Sequence, residues 1–358
     1  MADKIRVLLV DDSASVRSSL MAGLSAEPDI DVVGSARDGL EAVEQVKALA
    51  PDVVTLDIEM PRLDGLGALE RIMVERPTPV VMVSSLTRKG AEVTIQALEL
   101  SAVDFALKTA ARGSSAVRGL IAELAEKIRQ AATANVAALV HRPGVRERIP
   151  VAARPGGERG SRSESVVVIA SSTGGPQALR AVIPFLPADL PAPVLVIQHL
   201  PAVFTSRLAA SLNEASPLTV EEARPGVRLC AGLVLVAPGG VHMALSKAGS
   251  VRLSLSDLEC GVRPAANVTM ESVASVYGES SVGVVLTGMG SDGTRGAGLI
   301  KNAGGTVIVE DESTSVIYGM PKSVMESGHA DEEVPLPRIA SRIVRACGTR
   351  ARAKEATV

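Results

Sequence analysis

Aromatic side chains are almost missing from this chain: it has no tryptophan, two tyrosines and three phenylalanines in 358 residues. Its cores must therefore be packed from Val, Leu, Ile and Ala, and it lacks the stacking platforms on which single-stranded nucleic acid is held. Cysteine is equally scarce. Cys230, Cys260 and Cys347 are odd in number and far apart, which supports neither a disulfide framework nor a zinc site and fits a reducing compartment. No single sign of charge dominates, and a net charge of −3 offers no basic field toward DNA or RNA. Long apolar runs are absent as well. The stretch around 194–196 is strand-sized, not membrane-sized, and MADKIRVLLVDD reaches acidic residues too soon for a signal peptide. These absences lead us to expect a cytoplasmic protein that is not membrane-embedded and does not bind nucleic acid.

The residues present describe a folded chain. A hydrophobic content of 46% against 22% charged is globular composition, and the length suits two domains of ordinary size. In the first third, IRVLLV, DVVTL and PVVMVS read as buried parallel strands. Helix-period stretches lie near 14–26, 38–48, 65–75 and 89–99, with a last amphipathic helix over about 114–132. From about 133 to 163 the composition turns to Arg, Pro, Gly and Ser without apolar periodicity, and this segment is expected to be a flexible linker. The βα pattern then resumes with SVVVIA, PVLVIQ, LVLVA, VGVVLTG and TVIVE, separated by helical stretches near 177–186, 203–213, 268–277 and 294–303. Residues 241–255 read as a hairpin. The expected fold is α/β, with two doubly wound parallel-sheet domains over 4–132 and 164–347, flavodoxin-like and Rossmann-like respectively.

Functional groups of an open α/β sheet gather beyond the carboxyl ends of its strands. In the first domain Asp11 and Asp12 follow one strand and Asp57 another, and such a carboxylate cluster calls for a hard divalent cation such as Mg²⁺. A carboxylate beside Mg²⁺ is a nucleophile toward a phosphoryl group. Ser84 offers a hydroxyl and Lys108 a fixed positive charge to the phosphoryl oxygens. DDSASVRSSL, LDIEMPRLDGL, VVMVSS and DFALK resemble a response-regulator receiver domain over about residues 4–130. The resemblance implies that Asp57 is phosphorylated, that Asp11 and Asp12 help it hold Mg²⁺, and that Ser84, Phe105 and Lys108 transmit the switch. Thr109 departs from the family, which usually has proline after the lysine.

In the second domain SVVVIA runs into SSTGGPQAL and then a helix. A serine on a strand-to-helix turn is exposed beside backbone N–H groups that stabilise negative charge, and it can act as a nucleophile. Among the four histidines, His141 lies in the linker, His242 at a turn and His329 late in the chain. His199 directly follows PVLVIQ, and Asp292 lies in a Gly-rich loop after VGVVLTG. Ser172, His199 and Asp292 thus form a candidate triad, defined by role and not by chain order. The STGGP turn lacks the G-x-G-x-x-G pattern, and no acid ends the next strand, which argues against a dinucleotide loop.

SSTGGPQAL, VLVIQHLP, LVAPGGVHM, GVVLTGMGSDGTRGAG and SVIYGMPKSV closely resemble the catalytic domain of the chemotaxis protein-glutamate methylesterases across about 165–346. That family joins a receiver and this domain in the same order. The resemblance implies a phosphorylation-activated hydrolase that removes methyl esters from glutamate side chains of methyl-accepting chemotaxis receptors, with deamidation of receptor glutamines. It implies a chemotaxis histidine kinase as phosphodonor and no cofactor for the ester chemistry. Thr173 and Met289 match residues lining the site. Ala170–Ser171 stands where the family usually has Gly-Ala, and Ala265, Ala266 and Asn267 replace the common Ser-Val-Asp. Two rivals belong to other classes. A phosphorylation-controlled binding protein with a vestigial site would show no ester turnover, and a DNA-binding response regulator would need a helix-turn-helix, which the strands after residue 164 do not leave room for.

Overall fold

The computed structural model describes residues 4–85, 87–108, 114–140 and 165–355. The chain separates into two compact units, divided between Arg142 and Pro143, and each has its own parallel sheet.

The first unit contains strands β1 (Ile5–Val10), β2 (Ile30–Ala36), β3 (Val53–Asp57), β4 (Val80–Ser85) and β5 (Asp104–Lys108), in the spatial order 2-1-3-4-5. The neighbours pair in parallel throughout. β1, β3 and β4 are buried along nearly their whole length, as expected of strands covered by helices on both faces. The helices are α1 (Ala14–Leu24), α2 (Gly39–Leu49), α3 (Gly65–Glu75), α4 (Arg88–Leu100), α5 (Ser114–Ala132) and α6 (Val136–Val140). Ser13, Asp38, Asp64 and Thr87 each accept a hydrogen bond from a first-turn N–H, so α1 to α4 all begin at a capping side chain. The edge strand β2 was not among the strands expected from periodicity. α6 lies within the stretch expected to be linker, where Leu139 is buried and its carbonyl accepts from the Ser101 hydroxyl at 3.3 Å. The other described part of that stretch is residues 133–135, and the remainder of the expected linker, His141 included, lies outside the described residues, as does Thr109.

The second unit contains β6 (Val166–Ser171), β7 (Val194–Gln198), β8 (Thr219–Glu222), β9 (Leu233–Val236), β12 (Ser281–Val285), β13 (Thr306–Glu310) and β14 (Glu332–Val334). They form one parallel sheet in the order 14-13-12-6-7-9-8. Between β9 and β12, β10 (His242–Leu245) and β11 (Val251–Ser254) make the expected antiparallel hairpin. The helices are α7 (Gly175–Val182), α8 (Ala202–Ala215), α9 (Ala266–Tyr277), α10 (Thr294–Asn302), α11 (Met320–Glu326) and α12 (Leu336–Glu355). The core is almost wholly aliphatic, with Val168, Leu195, Ile197, Leu235, Met270 and Val285 at its centre, and Phe204 is the largest fully buried side chain. The chain enters this sheet at its middle, through β6. It builds outward to β7 on one side and later returns to β12 on the other, so the order of strands reverses at β6. Ligand sites of open α/β sheets lie at such a reversal.

Candidate functional sites

Each unit places polar side chains at the carboxyl ends of its central strands. In the first, Asp11, Asp12 and Asp57 bring one ligand atom each within 4.8 Å of one another, the one such group of three among the described residues. Asp11 and Asp57 are buried and Asp12 is exposed. The Lys108 ammonium bridges the two buried acids, 2.8 Å from Asp11 Oδ2 and 2.8 Å from Asp57 Oδ2. Burial raises the Asp57 carboxyl to about 6, against the lowering effect of Lys108. Burial alone would lower Lys108, but the Asp57 and Asp11 charges outweigh it and hold the ammonium above its usual pKa. Three carboxylates that bring one oxygen each within 4.8 Å of one another, two of them sharing a single ammonium, are the hard oxygen donors an additional cation needs, so the donor set fits Mg²⁺.

Ser84 ends in the same region and is fully buried. Its hydroxyl meets Thr94 Oγ1 of α4 at 2.6 Å and Gly90 O at 3.5 Å. Phe105 is buried within β5. Of the residues expected to act at this site, the structure gathers Asp11, Asp12, Asp57 and Lys108 and bonds the Ser84 hydroxyl to α4. Thr94 was not singled out from the sequence, since a threonine inside a helix carries no signal until its partner is known.

In the second unit, parallel pairing sets Ser171 beside Gln198, so Ser172 and His199 are the next residues on adjacent strand ends. The His199 N–H donates to Ser171 O at 3.2 Å, which carries the register one step beyond the strands. On the other side of β6, Ser172 N–H donates to Thr287 O at 3.0 Å and ties the turn to the end of β12. Ser172 and His199 are half-buried, Thr173 and Asp292 buried, and Met289 is exposed on the loop after β12. His199 Nε2 lies 2.8 Å from Asp292 Oδ2. That carboxylate is fully engaged: Oδ2 also accepts from Ala266 N–H at 2.6 Å, and Oδ1 accepts from Asn267 N–H at 3.0 Å and Gly293 N–H at 2.9 Å. Burial pushes Asp292 upward, but His199 and the backbone donors outweigh it and hold it below the usual carboxylate value. Ala266 and Asn267 serve Asp292 through their main chains, so the unusual side chains there leave the acid's support intact. The Asn267 side-chain Oδ1 in turn accepts from Gly293 N–H at 3.1 Å and Gly296 N–H at 2.9 Å at the start of α10.

His242 is fully buried, with Nε2 3.0 Å from Asp257 O and Nδ1 accepting from Ala265 N–H at 3.2 Å, which makes it a brace for the loop before α9. Glu310 escaped the sequence reading. It closes the apolar strand β13 and is fully buried, and its Oε2 accepts from Thr287 N–H at 2.8 Å. Burial raises its carboxyl to about 7, against the lowering pull of Thr287 and Thr314. An acid that ends an otherwise apolar strand was the signal available. The Thr287 hydroxyl donates toward Thr173 O at 3.0 Å and accepts from Ile317 N–H at 2.9 Å, so one threonine joins three segments around the turn.

The arrangement has the parts of a serine hydrolase: a hydroxyl on a tight turn, an imidazole on the next strand, and a buried carboxylate orienting that imidazole. Comparison with known proteins gives the family. Residues 167–343 match the family model for the CheB methylesterase, and residues 7–115 match that for the response regulator receiver domain. A protein of Symbiobacterium thermophilum called protein-glutamate methylesterase/protein-glutamine glutaminase is 51% identical over 352 residues, covering 96% of this chain and 97% of that protein. A protein of the same description from Thermotoga maritima is 47% identical over 348 residues, covering 96% and 99%. A third, from Archaeoglobus fulgidus, is 45% identical over 345 residues, covering 95% and 97%.

Proposed function

The chain belongs to the CheB methylesterase family, with a response regulator receiver domain ahead of the catalytic domain, and from this premise we propose that it hydrolyses glutamate methyl esters on methyl-accepting chemotaxis receptors in the cytoplasm and is switched on by phosphorylation of Asp57. The same site would deamidate receptor glutamines. The observation that carries the reading is the 2.8 Å pair between His199 Nε2 and buried Asp292, beside the strand-to-turn serine at the reversal of the sheet.

Because Nε2 faces Asp292, Nδ1 is the ring nitrogen left to serve Ser172. His199 Nδ1 takes the Ser172 proton as Oγ attacks the ester carbonyl, and the negative charge forming on the carbonyl oxygen meets backbone N–H groups at Thr173–Gly174. Each such donor contributes about 10²–10³ in rate. The acyl–oxygen bond breaks and methanol leaves with the proton from His199. Water then gives a proton to the same nitrogen and attacks the acyl-enzyme, releasing glutamate and restoring the Ser172 hydroxyl. With glutamine the leaving group is ammonia. Asp292 holds the imidazole in the tautomer this sequence requires and stabilises it when protonated.

In the receiver, Asp11, Asp12 and Asp57 would hold Mg²⁺, which when bound offsets the charge of the incoming phosphoryl group. Asp57 accepts the phosphoryl from a chemotaxis histidine kinase, and Lys108 and Ser84 bind its oxygens. Among the described residues no helix is long and apolar enough to cross a membrane. Reaction with a serine-directed phosphonofluoridate tests the esterase assignment: the adduct is expected on Ser172, with loss of methanol release from methylated receptor membranes. Full release from protein modified at Ser172 would overturn it.

A further inference from the structure

The turn that carries Ser172 is held by a side chain with no part in the proton transfers. Gln198, the last residue of β7, is almost fully buried. Its Nε2 donates to Ser172 O at 2.8 Å, and its Oε1 accepts from the Ser171 hydroxyl at 2.7 Å. The direction of the amide follows from chemistry: a backbone carbonyl accepts and cannot donate, so the NH₂ end must face Ser172 O. Oε1 then needs a donor, and the fully buried Ser171 hydroxyl supplies one. Ser172 O also accepts from Gly175 N–H at 2.8 Å, so two donors fix where that carbonyl points.

Two glycines make room for this arrangement. Gly174 has φ +77, the left-handed region that side chains avoid, and it lets the chain turn from β6 into α7. At Gly175 the need is space, since a Cβ there would lie 1.9 Å from Gln198 Oε1. The second glycine therefore accommodates the glutamine.

The peptide joining Ser172 to Thr173 is planar, so its C=O and its N–H point in opposite directions and turn together. Whatever fixes Ser172 O also fixes the Thr173 N–H. We propose that Gln198 and Ser171 are positioning residues: the Ser171 hydroxyl sets the Gln198 amide, the amide holds the Ser172 carbonyl, and the rigid peptide thereby aims the Thr173 N–H at the oxygen that becomes negative in the transition state. The proposal deepens the esterase reading and rests on Ser172 being its nucleophile. It also gives a use to the fully buried Ser171 hydroxyl.

A donor aimed at a developing charge acts on kcat far more than on KM. In full-length protein activated with phosphodonor and Mg²⁺, methanol release from methylated receptor membranes is measured for Gln198→Met, Ser171→Ala and the pair. Rates are normalised to the active fraction titrated with phosphonofluoridate, so loss of folded protein does not count as loss of rate. Gln198→Met is expected to lower kcat about 10²-fold, the size of a misplaced catalytic group, with KM changed less than about threefold. Ser171→Ala is expected to lower kcat about tenfold alone and to cost nothing further when Gln198 is already Met, because it acts only through that amide. Losses that multiply, or an unchanged kcat in Gln198→Met, would overturn the proposal. If Gln198→Met does not fold, Ser171→Ala decides: it removes one oxygen and no carbon, and an unchanged kcat sinks the idea. Mass spectrometry of the adduct keeps the two readings apart. Label on Ser172 with unchanged kcat in the variants defeats the clamp alone, whereas label on another residue defeats the nucleophile assignment, and the clamp with it.

Discussion

Ser172, His199 and Asp292 act as a unit in this account, and their substitutions should show it. Ser172→Ala is expected to lower methanol release by about 10³-fold or more, far beyond the effect of Ser171→Ala next to it. His199→Ala and Asp292→Ala should each be severe alone and add little to Ser172→Ala; steady-state rates of the double variants check this, and fully multiplicative losses would assign the three to separate tasks. Glu310 makes a prediction of another kind. Its carboxyl rises from 4.5 to about 7 on folding, chiefly through burial. An acid whose folded-state pKa lies above its unfolded value binds its proton more tightly when folded. Its contribution is therefore most favourable below about 4.5 and is lost as pH rises through about 7, at a cost of up to about 3 kcal/mol. Denaturant unfolding at about pH 5 and about pH 8 should show that loss in the wild type and a flatter response in Glu310→Gln, which is neutral throughout and still accepts from Thr287 N–H. Equal pH dependence in the two proteins would show that Glu310 does not titrate in this range.

The turn between β6 and α7 is the element on which the chemistry stands. In Gly175→Ala the added methyl would lie 1.9 Å from Gln198 Oε1 and 2.9 Å from Ser171 Cβ, so the buried Gln198 amide must be displaced and the end of β6 must shift with it, at a cost in stability. The expected result is a fall in kcat per active site comparable to that of Gln198→Met, together with a lowered melting temperature; an unchanged kcat per active site would contradict it. How far the elements could be read from sequence depended on burial. β1, β3, β4, β6 and β12 announce themselves as Val- and Ile-rich runs because both faces are covered. β2 and β14 lie at sheet edges, where half-exposed or three-residue strands carry no such run. α12 was missed although Ile339, Ile343 and Cys347 are buried at a four-residue spacing, because the arginines between them mask the stripe. Ser172, His199 and Asp292 were legible because each follows a readable strand. Gln198, Thr287 and Glu310 were not, because their partners are set by the pairing of β6, β7, β12 and β13, which sequence does not display.

At the scale of the whole molecule the proposal joins two units that each have a sheet and a site of their own. A phosphoryl group on Asp57 would add charge beside Lys108, and the Ser84 hydroxyl, which accepts from Thr94 Oγ1, would have its own hydrogen to donate to it. Activation of about a hundredfold would need a coupling of about 2.7 kcal/mol between the phosphorylated site and the esterase. A fragment beginning near residue 163 distinguishes the routes by which that coupling acts. If the receiver restrains the esterase, the fragment outpaces the unphosphorylated full chain; if it is no faster, activation comes instead from engagement with the receptor. The most direct test of the central claim is methanol release from methylated receptor membranes by the full-length protein, with and without a small phosphodonor and Mg²⁺. Release is expected to be raised by the phosphodonor in the wild type, to stay at the unphosphorylated level in Asp57→Asn, and to be abolished in Ser172→Ala. Release that is the same in Ser172→Ala as in the wild type, or that the phosphodonor raises equally in Asp57→Asn, would contradict it.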